Sequence, residues 1–391
     1  MILSLKYLHV HKHTFVSTVP KTSCIFLVCK RKGIIYPVRY RELDFTVPEF
    51  DGFIKRLEEY QTWDEKKKKK RNLTLDFARG FAILLMIYDH IIGHGKVITS
   101  FHMPLFFIIS GYLLKDQPFR QTLKKKAKGL LLPYLEFAGL AILVGFFKAI
   151  FILHANWQAT GNYLFHKMVD TLCARDIWLL WFLLALFEAL MIYVGIKCLT
   201  KNRYMQIILV LLVFVLGYCL SQKYGSANFY YLDQGMMAVL FVAVGDAAKK
   251  LSREKLYRFS WMRMGILAMM LVIWMLGICF GLLVMANRVY EGFPLCIFSA
   301  IAGTYLVVFC SHFMKRIPLL GSMIVWCGQN TLEILCLANI FRQFSDWKAL
   351  CQGLGIHSIF VMSLLQTGLI VGIVLVWKII IKHTRKLDER Q

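Results

Sequence analysis

Acidic residues are scarce in this chain of 391: 23 aspartates and glutamates stand against 47 lysines and arginines, a formal net charge of +24. No segment shows the short alternating polarity that a transmembrane β-barrel requires, which excludes that class. None of the 11 cysteines forms a Cys-x-x-Cys pair, and most fall in apolar runs. They read as small buried hydrophobes, not as metal or redox centres. No apolar stretch near the start has the length of a signal-peptide core. What the chain has in quantity is apolar sequence: 58% hydrophobic residues and a mean hydropathy of +0.56. Continuous apolar runs of about 20 residues describe an all-α polytopic membrane protein set in a lipid bilayer. In that setting the basic excess reads as cytoplasmic loop bias, so no nucleic-acid partner is expected.

The pattern predicts about ten spans, near 73–94, 99–114, 130–153, 178–196, 205–220, 229–247, 262–285, 293–311, 319–341 and 356–381. The second is short, and Pro104 and Gly111 suggest that it is bent or incomplete. If the run Lys66–Arg71 is inside, alternate connecting segments carry 28 lysines and arginines and the others 7. That bias places both termini in the cytoplasm, with the chain multi-pass in the cytoplasmic (inner) membrane. Residues 1–72 read as a cytoplasmic extension, poorly ordered or surface-associated. Within it 51–63, "DGFIKRLEEYQTW", is a candidate amphipathic surface helix. Residues 73–383 form the membrane domain and 384–391 a cytoplasmic tail.

The first span carries Asp76, Arg79, Asp89 and His90. Each such group near a bilayer centre costs on the order of 2.5–3.5 kcal/mol on insertion scales, so the usual reading is a site or a water path. Arg79 and His90 are 11 residues apart, 20° past three full helical turns, so they share a face about 16 Å apart along the axis. Asp76 lies three residues before Arg79 and can pair with it. Asp89 stands beside His90 as a second catalytic candidate, although adjacent helix residues point about 100° apart. His94 follows His90 by four, and a short connection to the second span lets His102 approach. The zincin glutamate is absent and no metal site is expected. A fixed guanidinium near the cytoplasm suits a phosphate, and an imidazole can take a proton from a hydroxyl. Acyl transfer from a coenzyme A thioester to an alcohol fits this pair, and so does a proton-coupled transporter. No internal repeat, common in transporters, is evident.

Four stretches carry a resemblance: "LDFARGFAILLMIYDH", "SFHMPLFFIISGYLL", "KKKAKGLLLPYLEF" and "WLLWFLLALF", with fainter echoes in "LFVAVGDAAKK" and "WCGQNTLEILCL". Together they resemble the integral-membrane acyltransferase 3 family, its fucose 4-O-acetylase-like branch, from about residue 71 to 383. The resemblance implies a ten-helix O-acetyltransferase that moves acetyl from cytoplasmic acetyl-CoA to a carbohydrate acceptor. By position it implies that Arg79 binds a phosphate of the acyl-CoA and that His90 is the catalytic histidine. Lys124, Lys125 and Lys128 fall in the matching basic loop and would assist with phosphates. His102 and Ser110 belong to the second motif and, with Trp181, are candidates for acceptor binding. Two positions depart from the pattern: Asp89, where glycine is common, and Ala338, where the late element often ends in histidine. The competing classes are a polysaccharide or lipid-linked sugar flippase and a sensor built on a degenerate acyltransferase fold.

Overall fold

A computed structural model describes residues 26–31, 34–39 and 71–388, save positions 94, 153, 155, 175–177, 225–230, 254–259 and 345–346. The chain divides into two units, Met1–Arg71 and Asn72–Gln391. In the first, strands β1 (Phe26–Arg31) and β2 (Ile34–Arg39) pair antiparallel, Phe26 opposite Arg39 and Arg31 opposite Ile34. The helix expected over 51–63 lies outside the described residues.

In the second unit, α1 (Leu73–Ile92) starts where the side chain of Asn72 accepts the N–H groups of Thr74 and Leu75. It ends at Gly93, whose φ of 84° is a left-handed cap. A one-turn helix α2 (Lys96–Thr99) leads into α3 (His102–Tyr112), which is only 11 residues long. Then come α4 (Phe119–Lys126), α5 (Leu132–Phe147), α6 (Trp157–Leu172), α7 (Trp181–Leu199), α8 (Arg203–Tyr224), α9 (Leu232–Arg253) and α10 (Ser260–Phe280). A small hairpin of β3 (Leu282–Val284) and β4 (Val289–Glu291) follows. The chain closes with α11 (Leu295–Met314), α12 (Leu320–Gln329), α13 (Thr331–Phe344), α14 (Trp347–Gly353) and α15 (Ile359–Asp388).

The protein is therefore mostly helical, with the two hairpins as exceptions to an all-α reading. Among the described residues six helices are long and apolar enough to cross a membrane, or seven if α12 and α13 count as one span bent by 80°. Helices α1, α3 and α9 fall outside that set. α3 is too short, α1 carries Asp76, Arg79 and Asp89, and α9 carries Asp233, Asp246, Lys249, Lys250 and Arg253. These same three helices lie inside the bundle. α1 packs along α12, and α9 packs along α3, α7 and α8. Phe77, Ile83 and Met86 of α1, and Met237 and Phe241 of α9, are fully buried. By contrast few side chains of α5, α8 and α10 are buried within the protein, as in lipid-facing helices. The physics is consistent: polar helices are affordable where protein, not hydrocarbon, surrounds them.

Two helix crossings explain several of the resembling motifs. A Cβ on Gly80 would sit 1.9 Å from the Ile324 carbonyl oxygen, and one on Gly328 would sit 1.6 Å from that of Asp76. A Cβ on Gly111 would meet the Val242 oxygen at 2.1 Å, and one on Gly245 the Ile108 oxygen at 1.9 Å. The glycines thus pair across α1–α12 and across α3–α9, letting backbones touch where lipid offers no hydrophobic drive for association. Gly111 is a packing residue, and the brevity of the second segment comes from α3 itself. A Gly111→Val variant is expected to lose most of its monodisperse peak in detergent size-exclusion chromatography, while Ser110→Ala elutes as the parent. The inserted methyls meet backbone, which cannot give way, and ordinary overpacking already costs about 1–3 kcal/mol.

Two further expectations change. The basic run 124–128 is helical, not a loop: Lys124, Lys125 and Lys126 lie on α4, and a π-helical turn over Ala127–Leu131 joins it to α5. That turn stands just before Pro133, which has no N–H to give to the helix ladder. The span expected over 262–285 stops at Phe280, and the chain turns through the β3–β4 hairpin. The hairpin is tied down by Arg288, which grips the buried Asp233 carboxylate with two N–H donors at 2.7 and 3.2 Å. At the opposite end of α9, Asp246 accepts the Tyr193 hydroxyl at 2.9 Å and pairs with Lys250 at 3.0 Å. Lys197 bridges from Asp246 to Asp116, outside the spans, and holds the Asp116 carboxyl below the usual range.

Candidate active site

Asp76 and Arg79 form the expected i, i+3 ion pair on the first turns of α1. The carboxylate is buried, whereas the Arg79 side chain keeps 24% of its surface open. Only part of the guanidinium is used. Its Nε is buried and has no hydrogen-bond partner among the described residues. An uncompensated buried donor on a permanent cation is a place for an anion. Close by, the Lys315 ammonium donates to the Thr74 hydroxyl at 2.6 Å, so the start of α1 is locally cationic. Lys124, Lys125 and Lys128 are exposed and make no ion pair or hydrogen bond among the described residues, which leaves their charges for a solute or a headgroup.

At the far end of α1, Asp89 and His90 diverge as adjacent helix residues must. Asp89 is 1% exposed, and its carboxylate accepts the Gly95 N–H at 2.8 Å. It thereby holds the turn from α1 into α2. His90 is half-buried, and its Nδ1 lies 2.6 Å from a guanidinium nitrogen of Arg342 on α13. His94 lies outside the described residues. His102 is buried at the start of α3, with Nδ1 2.9 Å from the Ile98 carbonyl oxygen. Since a carbonyl only accepts, that nitrogen carries a proton, and the ring ties α3 to α2. Ser110 is half-buried in the last turn of α3. Trp181 is buried and packs on Tyr231 at 5.8 Å between ring centroids, and the Arg288 guanidinium lies over the Tyr231 ring at 5.0 Å. Trp181 thus lies inside the core, with the Tyr231 ring linking it to Arg288.

α13 is the element that sequence reading undervalued. Ala338, at the expected histidine position, is buried. Next to it Asn339 is 0% exposed; its Oδ1 accepts the Leu179 N–H at 3.0 Å, while its Nδ2 has no partner among the described residues. Arg342 follows Ala338 by four, one turn on along the same face. The spacing was available as a signal, but an arginine at a span end reads as an ordinary loop charge.

The chain offers a graded constellation: a cationic start to α1 with a spare guanidinium N–H, and an imidazole three turns on that meets a second arginine from α13. The sequence model of the acyltransferase-domain family matches residues 72–383. Two curated relatives are nodulation proteins NolL, from Sinorhizobium fredii at 29% identity over 153 residues and from Mesorhizobium japonicum at 37% over 83. These matches cover 34% and 17% of this chain, and 39% and 22% of the relatives' own lengths. The match across nearly all of the second unit, from the cap of α1 into α15, decides the matter: this multi-pass membrane chain belongs to the integral-membrane acyltransferase 3 family.

Proposed function

We propose that the protein transfers an acetyl group from cytoplasmic acetyl-CoA to a hydroxyl of a carbohydrate, part of a cell-envelope or exported polysaccharide or its precursor. In this reading the chain crosses the inner membrane ten times with both termini in the cytoplasm. The observation that carries it is the spare buried Nε of Arg79 on the same helical face as His90. Acetyl-CoA docks from the cytoplasm with its phosphates on Arg79, helped by the free ammonium groups of Lys124, Lys125 and Lys128. Its pantetheine arm runs along α1 towards His90, about 16 Å on.

The chemistry is then general-base acyl transfer. A lone pair of His90 takes the proton from the carbohydrate O–H, and the oxygen attacks the thioester carbonyl. The tetrahedral adduct collapses, the C–S bond breaks, and the imidazolium returns its proton to the departing thiolate. Asp89 holds the turn that follows His90 and acts as a positioning residue. His102 and Ser110 line the start and end of α3, where they shape the acceptor side. The carbohydrate acceptor rests on the likeness to the fucose 4-O-acetylase-like branch, and the acyltransferase chemistry on membership of the family.

The test is direct. Membranes containing the protein are given acetyl-CoA labelled in the acetyl group, and label is followed into the carbohydrate fraction. Label in alkali-labile ester linkage supports the proposal. Translocation of a sugar without any ester formation would favour a flippase and end it.

A further inference from the structure

The contact between His90 and Arg342 has a chemical direction. A guanidinium has only N–H donors and no acceptor. At 2.6 Å from Arg342, Nδ1 of His90 must be the acceptor, so its lone pair is engaged and the single proton of the neutral ring sits on Nε2. In this state neither nitrogen can take a proton: one lone pair is covered, and the other nitrogen is already protonated. A second proton would also place an imidazolium against a permanent cation. The arginine reaches His90 from α13, beyond the 80° break that follows α12. Its side chain is exposed, so it can leave without disturbing the core.

We propose that Arg342 is a removable cap on His90, which keeps the base unavailable until substrate binding displaces the guanidinium. The inference deepens the reading of His90 as the general base and rests on it. The cap answers a need that any acyl-CoA enzyme at a water-accessible surface has. A base left open beside a thioester activates water as readily as an alcohol, and the acetyl group is lost. Arg342 is then a positioning residue that acts through His90, and its removal uncouples the donor from the acceptor. No bond is made or broken at Arg342 itself; it supplies and withdraws a hydrogen bond.

The experiment has two arms on the full-length protein in detergent. The first is independent of turnover. Diethyl pyrocarbonate attacks an unprotonated imidazole nitrogen, and the rate of modification at His90 is read by mass spectrometry against the exposed His154, His166 and His357. Arg342→Met, which keeps the apolar stem without a donor, and Arg342→Ala are expected to speed modification of His90 about tenfold relative to those three. Arg342→Lys, which still donates, stays near the parent rate. The second arm measures acetyl-CoA hydrolysis without acceptor, which is expected to rise about tenfold in Arg342→Met while the elution profile is unchanged. Modification of His90 at the parent rate in both donorless variants overturns the proposal. So does parental hydrolysis in Arg342→Met in a preparation whose parent transfers acetyl. A parent that never turns over acetyl-CoA would end the acetyl-transfer reading instead, and the modification rates alone would then decide on the cap.

Discussion

Acetyl transfer is expected to fall by about 100- to 10,000-fold in His90→Ala, the range that a positioned general base contributes, while the KM for acetyl-CoA is expected to stay within about threefold of the parent. The split follows from position. His90 sits at the far end of α1 from the cationic cluster, so its loss would remove the proposed proton acceptor and leave the proposed phosphate contacts intact. The ring is half-buried and its Nδ1 meets Arg342 at the protein surface, so truncation opens little core. The variant should therefore elute as the parent in detergent. Steady-state kinetics with labelled acetyl-CoA check both halves. A His90→Ala protein that keeps even a third of the parental kcat would show that the imidazole takes no part in the reaction, whatever Arg342 does.

The second large effect is expected at Arg79, and here the choice of substitution decides what is learned. Arg79→Ala strips the buried Asp76 of its counter-ion, and breaking a buried pair costs about 3–5 kcal/mol of stability. Lost activity in that variant would report on folding as much as on binding. Arg79→Lys keeps a cation beside Asp76 but removes the Nε–H and the planar fork. Hydrogen bonds to charged groups contribute about 1.5–3 kcal/mol, so the KM for acetyl-CoA should rise roughly 10- to 150-fold with kcat little changed. A dephospho-analogue of the donor sharpens the reading, since a donor lacking the 3′-phosphate should lose its sensitivity to Arg79→Lys if that is the group held. An unchanged KM in Arg79→Lys would remove Arg79 from the donor site.

Much of the site was legible before any fold was known, because it lies on one helix. Asp76, Arg79, Asp89 and His90 are related by a single periodicity, and the turn arithmetic that puts Arg79 and His90 on one face needs only regular geometry. The Asp76–Arg79 pair follows for the same reason. Residues whose meaning depends on two helices meeting were opaque. Nothing local in "LCLANIFRQF" tells that Arg342 reaches back 252 positions to His90, since that depends on the bend at Asn330. The glycines of the motifs were visible as letters, yet their pairing as Gly80 with Gly328 and Gly111 with Gly245 is a property of two crossings. The hairpin after Phe280 was hidden for another reason. "GLLVM" continues the apolar run of α10, and hydropathy alone cannot tell a strand from the end of a helix. Asp89 shows the converse. Its oddity was plain, but its bond to the Gly95 N–H, which anchors a turn, could only be seen in three dimensions.

The sheathing of polar α1 by later helices carries a consequence for biogenesis. α1 leaves the ribosome before any of its partners, yet it is among the helices least suited to stay in lipid alone. Its chief neighbour, α12, begins at Leu320, more than two hundred residues downstream. At roughly 5–20 residues per second of synthesis the wait is on the order of 10–50 s. Over that interval the nascent segment must be held by the insertion machinery, and a chain truncated before α12 should be found among the substrates of membrane proteases.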